Sequence, residues 1–356
     1  MTVSKPDRKP DRRIYLVTLT RIIGRNMKPR SYGFRRVFEE QKNGRLALLA
    51  PGAVMVCMLF LSAPGLASPA LGQTEAGKTF QAPGATIYYE VRGAGARGLP
   101  LVVVNGGPGF DHSYLHCSDV WDELARARPV VFYDQRGNGR SGALKPGQSC
   151  TLADQISDLD ALIVHLGYAK VDMLGHSWGG YLSMAYSARH PERIEKLIIC
   201  DSASPRWQDT EFMFKYMFPD KVANEDANNL AVSLGDERAA EENLKTYLSM
   251  LFYSEQKRDQ FLMHASEYRI DREVNRLVNQ DLTRFDLNPE LPKFKFPVLV
   301  LTGRYDINVA PSTAFKIHKE ITGSHFVVFE RSGHLPFYEE PEKFLEVVNQ
   351  FLEGGM

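Results

Sequence analysis

The hexapeptide Gly175-His176-Ser177-Trp178-Gly179-Gly180 constrains this chain more than any other stretch. It follows the apolar run Val171-Asp172-Met173-Leu174 and precedes a segment, Tyr181 to His190, with the composition and spacing of a helix. Between a strand and a helix, a serine flanked by glycines sits on a turn so tight that a Cβ at either glycine would strike neighbouring backbone. The serine is then strained, with its hydroxyl exposed above the sheet. Glycine and serine are common in loops, so the motif alone is weak and a plain turn is the competing reading. The strand before and the helix after make Ser177 a candidate nucleophile, provided that partners exist elsewhere.

The flanking pattern supplies the scaffold. Thr86 to Val91 reads as a strand of β-branched and aromatic residues, and Leu101 to Val104 as a strand buried on both faces. Pro129 to Tyr133, Lys196 to Cys200, Pro297 to Leu301 and Phe326 to Phe329 continue the series. Helical spacing appears at Leu152 to Leu166, Thr313 to Ile321 and Pro341 to Leu352. Strands alternating with helices imply an α/β fold with a doubly wound, mostly parallel sheet. The alternation breaks after Pro205. Residues 205–295 are helical in flavour and rich in Met and aromatics, which reads as a helical lid inserted between the core segments 73–204 and 296–356. Most of those apolar side chains are expected to form the lid's own core.

Charge is partitioned along the chain. The 43 basic and 43 acidic residues balance, but residues 1–45 carry a net +9 and the remainder a net −9. A mildly acidic body gives no reason to expect nucleic-acid binding. An uncharged run from Leu46 to Ala63 follows the basic stretch, and small residues follow the run. Residues 1–72 therefore read as an export leader, with Met27 as an alternative start and Arg35-Arg36-Val37-Phe38 as a loose twin-arginine likeness. A retained membrane anchor is the competing reading, because the run is about long enough to span. Export would place Cys117 and Cys150 in an oxidising compartment and favour a disulfide between them. Cys200 reads as a buried core thiol. No Cys pair or His/Cys cluster has metal-ligand spacing, and no metal or cofactor is expected.

A serine hydroxyl needs a base, and the base needs an acid to fix its tautomer. In an open α/β sheet such groups lie on loops at the carboxyl ends of strands. Gly303-Arg304-Tyr305-Asp306 follows one strand and Ser332-Gly333-His334-Leu335-Pro336 follows the last. Asp306 and His334 are the candidate acid and base. Asp201, which also ends a strand, is the rival acid. The Gly107 and Trp178 amides are the candidate oxyanion donors, since Pro108 has no N–H to give.

Four segments together, Asn105-Gly106-Gly107-Pro108-Gly109, Asp134 to Ser141, Gly175 to Gly180 and Gly303 to Asp306, resemble the proline iminopeptidase (prolyl aminopeptidase) family of α/β-hydrolases. The resemblance covers most of residues 85–204 and 296–352 and implies an α/β-hydrolase fold and release of an N-terminal residue. Two departures stand out. Asn105 replaces the family's usual histidine, and Ile307 follows Asp306 where some relatives place an acid. Family aminopeptidases hold the substrate's α-amino group with lid glutamates. If this chain does so, Glu267 and Asp281 are the candidates among the lid acids. The expected partner is a small molecule or short peptide. An esterase, lactonase or amidase on a small apolar acyl group is the second expectation, and a non-catalytic binding protein on the same fold the third.

Overall fold

The computed structural model describes residues 77–356. The leader, with its possible cleavage site, anchor and alternative start, lies outside the described residues. Among those residues, no helix is long and apolar enough to cross a membrane.

Eight strands form one sheet: β1 (Lys78–Ala82), β2 (Ala85–Arg92), β3 (Leu101–Val104), β4 (Val130–Asp134), β5 (Val171–His176), β6 (Ile194–Cys200), β7 (Val298–Gly303) and β8 (His325–Phe329), in the order β1-β2-β4-β3-β5-β6-β7-β8. The six strands from β4 to β8 are parallel, and β1 and β2 are antiparallel additions at one edge. The register aligns the functional ends: Val104 pairs with Gly175, His176 with Cys200, Cys200 with Leu301, and Gly303 with Phe329. The loops after β3, β5, β6, β7 and β8 therefore emerge side by side.

Alternation along the strands divides the core in two. Val102, Val104, Met173, Ile199 and Val300 pack on one face beneath α2 (Leu152–His165), α3 (Trp178–Arg189) and α9 (Pro311–Glu320). Leu101, Val103, Leu174, Ile198 and Leu301 pack on the other beneath α1 (Val120–Ala125) and α11 (Pro341–Leu352). Each fully buried aliphatic side chain contributes about 1.5–3 kcal/mol. Helix α2 starts where its sequence dictates: Thr151 Oγ1 accepts the Asp154 N–H at 3.2 Å, and Asp154 Oδ2 accepts the Thr151 N–H at 2.9 Å. Between β6 and β7 run α4 (Phe214–Met217), α5 (Pro219–Ser233), α6 (Glu237–Leu248), α7 (Glu255–Leu262) and α8 (Arg272–Leu282), and the four-residue α10 (Pro336–Glu339) precedes α11.

The expected Cys117–Cys150 disulfide does not form. Both thiols, and Cys200, are unpaired. Cys150 belongs to the core on the α2 face, whereas Cys117 packs against the core on the opposite face, so the sheet lies between them. Bridging needs Cα atoms within about 7 Å.

Candidate active site

Ser177 joins β5 to α3 with φ 58° and ψ −124°, a conformation that costs a non-glycine residue of order 1–3 kcal/mol. The surrounding structure holds it there. The Ser177 N–H donates to the Cys200 carbonyl at 2.9 Å, and the Ser177 carbonyl accepts the Gly180 N–H at 2.9 Å. A Cβ on Gly179 would run into the Val104 carbonyl, and one on Gly175 into the Gly179 carbonyl. Those two clashes explain why glycine stands on both sides of the serine.

His334 lies in the loop after β8 and Asp306 in the loop after β7, both almost wholly buried. His334 Nδ1 is 2.7 Å from Asp306 Oδ2. Asp306 Oδ1 accepts the Asn308 and Val309 N–H groups at 2.8 and 2.9 Å, which fixes the carboxylate. His334 and Ser177 line one cavity together with Gly106 and Gly107. Asp201 is near but makes different bonds: its Oδ1 accepts the Gly303 N–H at 2.8 Å. A hydroxyl, an imidazole and a carboxylate tied to the far ring nitrogen are the groups that acyl transfer requires.

Two hydrogen-bonded chains set the glycine loop against the serine turn. In the first, the Gly106 N–H donates to Tyr114 Oη at 2.6 Å, and Tyr114 Oη meets His176 Nδ1 at 2.7 Å. His176 Nε2 meets the His334 carbonyl at 2.8 Å; a carbonyl only accepts, so Nε2 carries the proton and Tyr114 donates to Nδ1. Burial, seconded by the nearby His334, holds His176 well below its ordinary pKa, so the ring is neutral. In the second chain, the Trp178 indole N–H donates to Gln135 Oε1 at 2.8 Å, and Gln135 Nε2 donates to the Asn105 carbonyl at 2.9 Å. Asn105 Nδ2 then donates to the Phe110 carbonyl at 2.8 Å. Sequence reasoning missed Tyr114, His176 and Gln135 as site residues. The only available signal was that His176 lies inside the serine motif and Gln135 inside the Asp134–Ser141 segment.

The Gly106 amide is engaged by Tyr114, and Gly107 lines the cavity together with Ser177. The Trp178 amide follows Ser177 at the first turn of α3.

A second cavity of about 390 Å³ also reaches Ser177. Its walls include Phe110, Trp207, Phe214 and Tyr247, with Asn275, Asn279 and Asn308 as polar members. Among the described residues lining either cavity there is no Asp, Glu, Lys or Arg. Glu267 and Asp281 are therefore corrected as amine-binding residues. Glu267 is exposed and pairs with His264 at 2.9 Å. Asp281 is buried, but its Oδ2 accepts the Leu152 N–H at 2.8 Å and so serves the start of α2.

One cluster outside this site has the makings of a metal centre. Glu90, His112 and His116 bring ligand atoms within 4.8 Å of one another. The cluster already holds its own cations. The Arg140 guanidinium is 2.9 Å from Glu90 Oε1, and His112 Nδ1 is 2.6 Å from Asp134 Oδ1. Burial pulls the His112 pKa down, but its bonds to Asp134 and Glu90 outweigh that and raise it to about 9. A protonated ring offers no lone pair to a metal.

A strained serine between strand and helix, with an acid and a histidine on later strand ends, is the layout of an α/β-hydrolase. A family model described as the alpha/beta hydrolase fold matches residues 100–341. A proline iminopeptidase of Saccharolobus solfataricus is 30% identical over 288 residues, covering 76% of this chain and 90% of that one. One from Clostridioides difficile is 29% identical, covering 76% and 96%. Solved structures with the same fold include an esterase from Exiguobacterium antarcticum (TM-score 0.62, 24% identity, 78% and 100% covered). An enol-lactonase from Burkholderia xenovorans is another (TM-score 0.61, 23% identity, 78% and 100% covered). The chain belongs to the proline iminopeptidase family of α/β-hydrolases, and it is a hydrolase of that fold.

Proposed function

We propose that this hydrolase is a serine acyl hydrolase whose preferred acyl group is small and uncharged, released from an ester, lactone or amide. Ser177 Oγ attacks the carbonyl carbon while His334 Nε2 takes its proton. Asp306 holds His334 Nδ1–H and stabilises the imidazolium. The Gly107 and Trp178 amides receive the oxyanion. His334 returns the proton to the leaving group, and water then repeats the sequence on the acyl-enzyme. The helices between β6 and β7 act as a lid whose Phe214 and Tyr247 form the acyl wall.

The observation that carries the substrate class is the uncharged lining of both cavities at Ser177. An exopeptidase must enclose a cationic α-amino group, and a charge buried without a partner costs about several kcal/mol. The asparagines offer hydrogen bonds without that counter-charge. The second reading, proline iminopeptidase activity, is favoured by the relatives that carry that name. A panel of short-chain esters, small lactones, a proline arylamide and its N-acetylated analogue separates the two. Turnover of esters or lactones well above the free arylamide supports the first reading. A large preference for the free arylamide over its blocked analogue overturns it. We further propose that residues 1–72 export the protein.

A further inference from the structure

Asp201 is a buried carboxyl group that the proposed reaction does not use. It directly follows β6 with φ 46°, in the left-handed region that few residues with a Cβ adopt and that Asp and Asn tolerate best. It is 1% exposed. Its N–H donates to the Leu301 carbonyl at 3.0 Å and its Oδ1 accepts the Gly303 N–H at 2.8 Å, so both its backbone and its side chain are tied to β7. Cys200 Sγ reaches its Oδ2 at 3.3 Å. The ligand atoms of Asp201, Asp306 and His334 lie within 4.8 Å of one another.

Two buried carboxylates this close repel each other when both are ionised, which favours a proton held on one of them. The partners decide which one carries it. Asp306 accepts two backbone N–H groups and faces the His334 Nδ1–H, three donors in all that favour its charged form. Asp201 accepts one backbone N–H and a weak thiol donor. The proton therefore stays on Asp201. Burial, then the neighbouring Asp306 charge, pushes the Asp201 pKa well above the ordinary carboxyl range, in the same direction.

We propose that Asp201 is a positioning residue: a neutral carboxylic acid that donates a hydrogen bond to Asp306 and holds that carboxylate against His334. The inference rests on the reading of Asp306 and His334 as the acid and base of the reaction. It adds a fourth member to the site and accounts for the strained backbone at Asp201. A glycine would satisfy the φ angle there but could not supply the donor. Asparagine would satisfy both, with Oδ1 for the Gly303 N–H and an amide N–H for Asp306.

The test uses the full chain at mildly alkaline pH. Infrared spectra of protein carrying isotope-labelled aspartate should contain a protonated-carboxyl band that shifts with the label and vanishes in Asp201→Asn. Asp201→Gly should lower kcat by about ten- to hundredfold at unchanged KM, the value of one hydrogen bond to a charged group. Asp201→Asn should restore most of that loss. A band that persists in Asp201→Asn, or equal kcat in the Gly and Asn variants, overturns the proposal. If Asp201→Gly does not fold, the infrared comparison decides alone. Fluorophosphonate labelling of the wild type reports separately on the Ser177 reading, so the two failures are distinguishable.

Discussion

Asn308 stands with its Nδ2 amide 2.9 Å from Nε2 of His334, on the side of the ring away from Asp306. In the proposed reaction this is the nitrogen that takes the proton from Ser177. The amide donor requires an unprotonated Nε2, so the ring already has the tautomer of a general base, with its proton on Nδ1 facing Asp306. The same amide also caps the lone pair that the reaction needs. Asn308 lines the larger cavity at Ser177, so a substrate entering there meets the residue that must let go of the imidazole.

Replacing that amide with a carboxylate tests the contact. Asn308→Asp puts a negative charge beside His334 and favours the imidazolium. In the proposed reaction the neutral ring is the active form. The acid limb of the kcat/KM profile should therefore move to higher pH, with activity at neutral pH falling. A profile that matches the wild type would show that the contact has no bearing on the base.

The core assignment has its own measurement. Ser177→Ala should abolish labelling by a fluorophosphonate, and Asp306→Asn should lower kcat by about 10⁴-fold, as expected when the base loses the acid that sets its tautomer. Persistent labelling of Ser177→Ala would falsify the nucleophile.

His112 makes stability depend on pH. Its folded pKa of about 9 lies above the ordinary 6.5. A raised imidazole pKa gives stability that is fully present below 6.5 and is lost as pH rises through about 9. Asp134, Glu90, Arg140 and His116 surround the ring, and the Asp134 contact at 2.6 Å is the shortest of the ion pairs it makes. Denaturant unfolding across that window should show falling stability in the wild type. His112→Gln should be less stable at neutral pH and should flatten the slope. An equal slope in both proteins would assign the dependence to other groups.

The parts legible in the sequence are those set by local pattern. Fully apolar runs such as Leu101–Val104 identify parallel strands buried on both faces, and residues directly after such runs fall at the carboxyl edge where β5, β7 and β8 present their loops. The Asp306–His334 contact could be anticipated because both loops follow strands that pair in register. Strand β1 was missed: only two of its five side chains are buried, and it gains its place by a hairpin onto β2. The tie from Tyr114 to His176 joins residues 62 positions apart, and Trp178 to Gln135 joins residues 43 apart, so neither leaves a local trace. The guess that Glu267 and Asp281 serve the substrate failed for a related reason. Amphipathic helices put acids on solvent faces and at one another's ends, and sequence does not say which face meets the cavity. The cysteine pairing failed because α2 and the 112–117 turn lie on opposite faces of the sheet.

Asn279 offers a way to write the missing charge into the cavity. It lies on α8 one turn after Asn275, and its Nδ2 donates to Asn275 Oδ1 at 3.1 Å, while Asn275 Nδ2 holds the Pro108 carbonyl at 2.8 Å. Both line the cavity at Ser177, but only Asn275 ties the helix to the glycine loop, so Asn279 is the position to change. In Asn279→Asp the carboxylate can no longer donate to Asn275 Oδ1 and is repelled by it, which turns the charge toward the cavity. A cationic α-amino group placed there gains a charge-assisted hydrogen bond of about 1.5–3 kcal/mol, roughly ten- to a hundredfold in rate. The ratio of kcat/KM for a proline arylamide to that for its N-acetylated analogue should rise by that factor. Short-chain ester hydrolysis should change far less, because an uncharged acyl group gains nothing from the carboxylate. If the wild type already shows a large ratio and Asn279→Asp leaves it unchanged, an acid outside these cavities serves the amine, and the uncharged-acyl reading gives way to the iminopeptidase one.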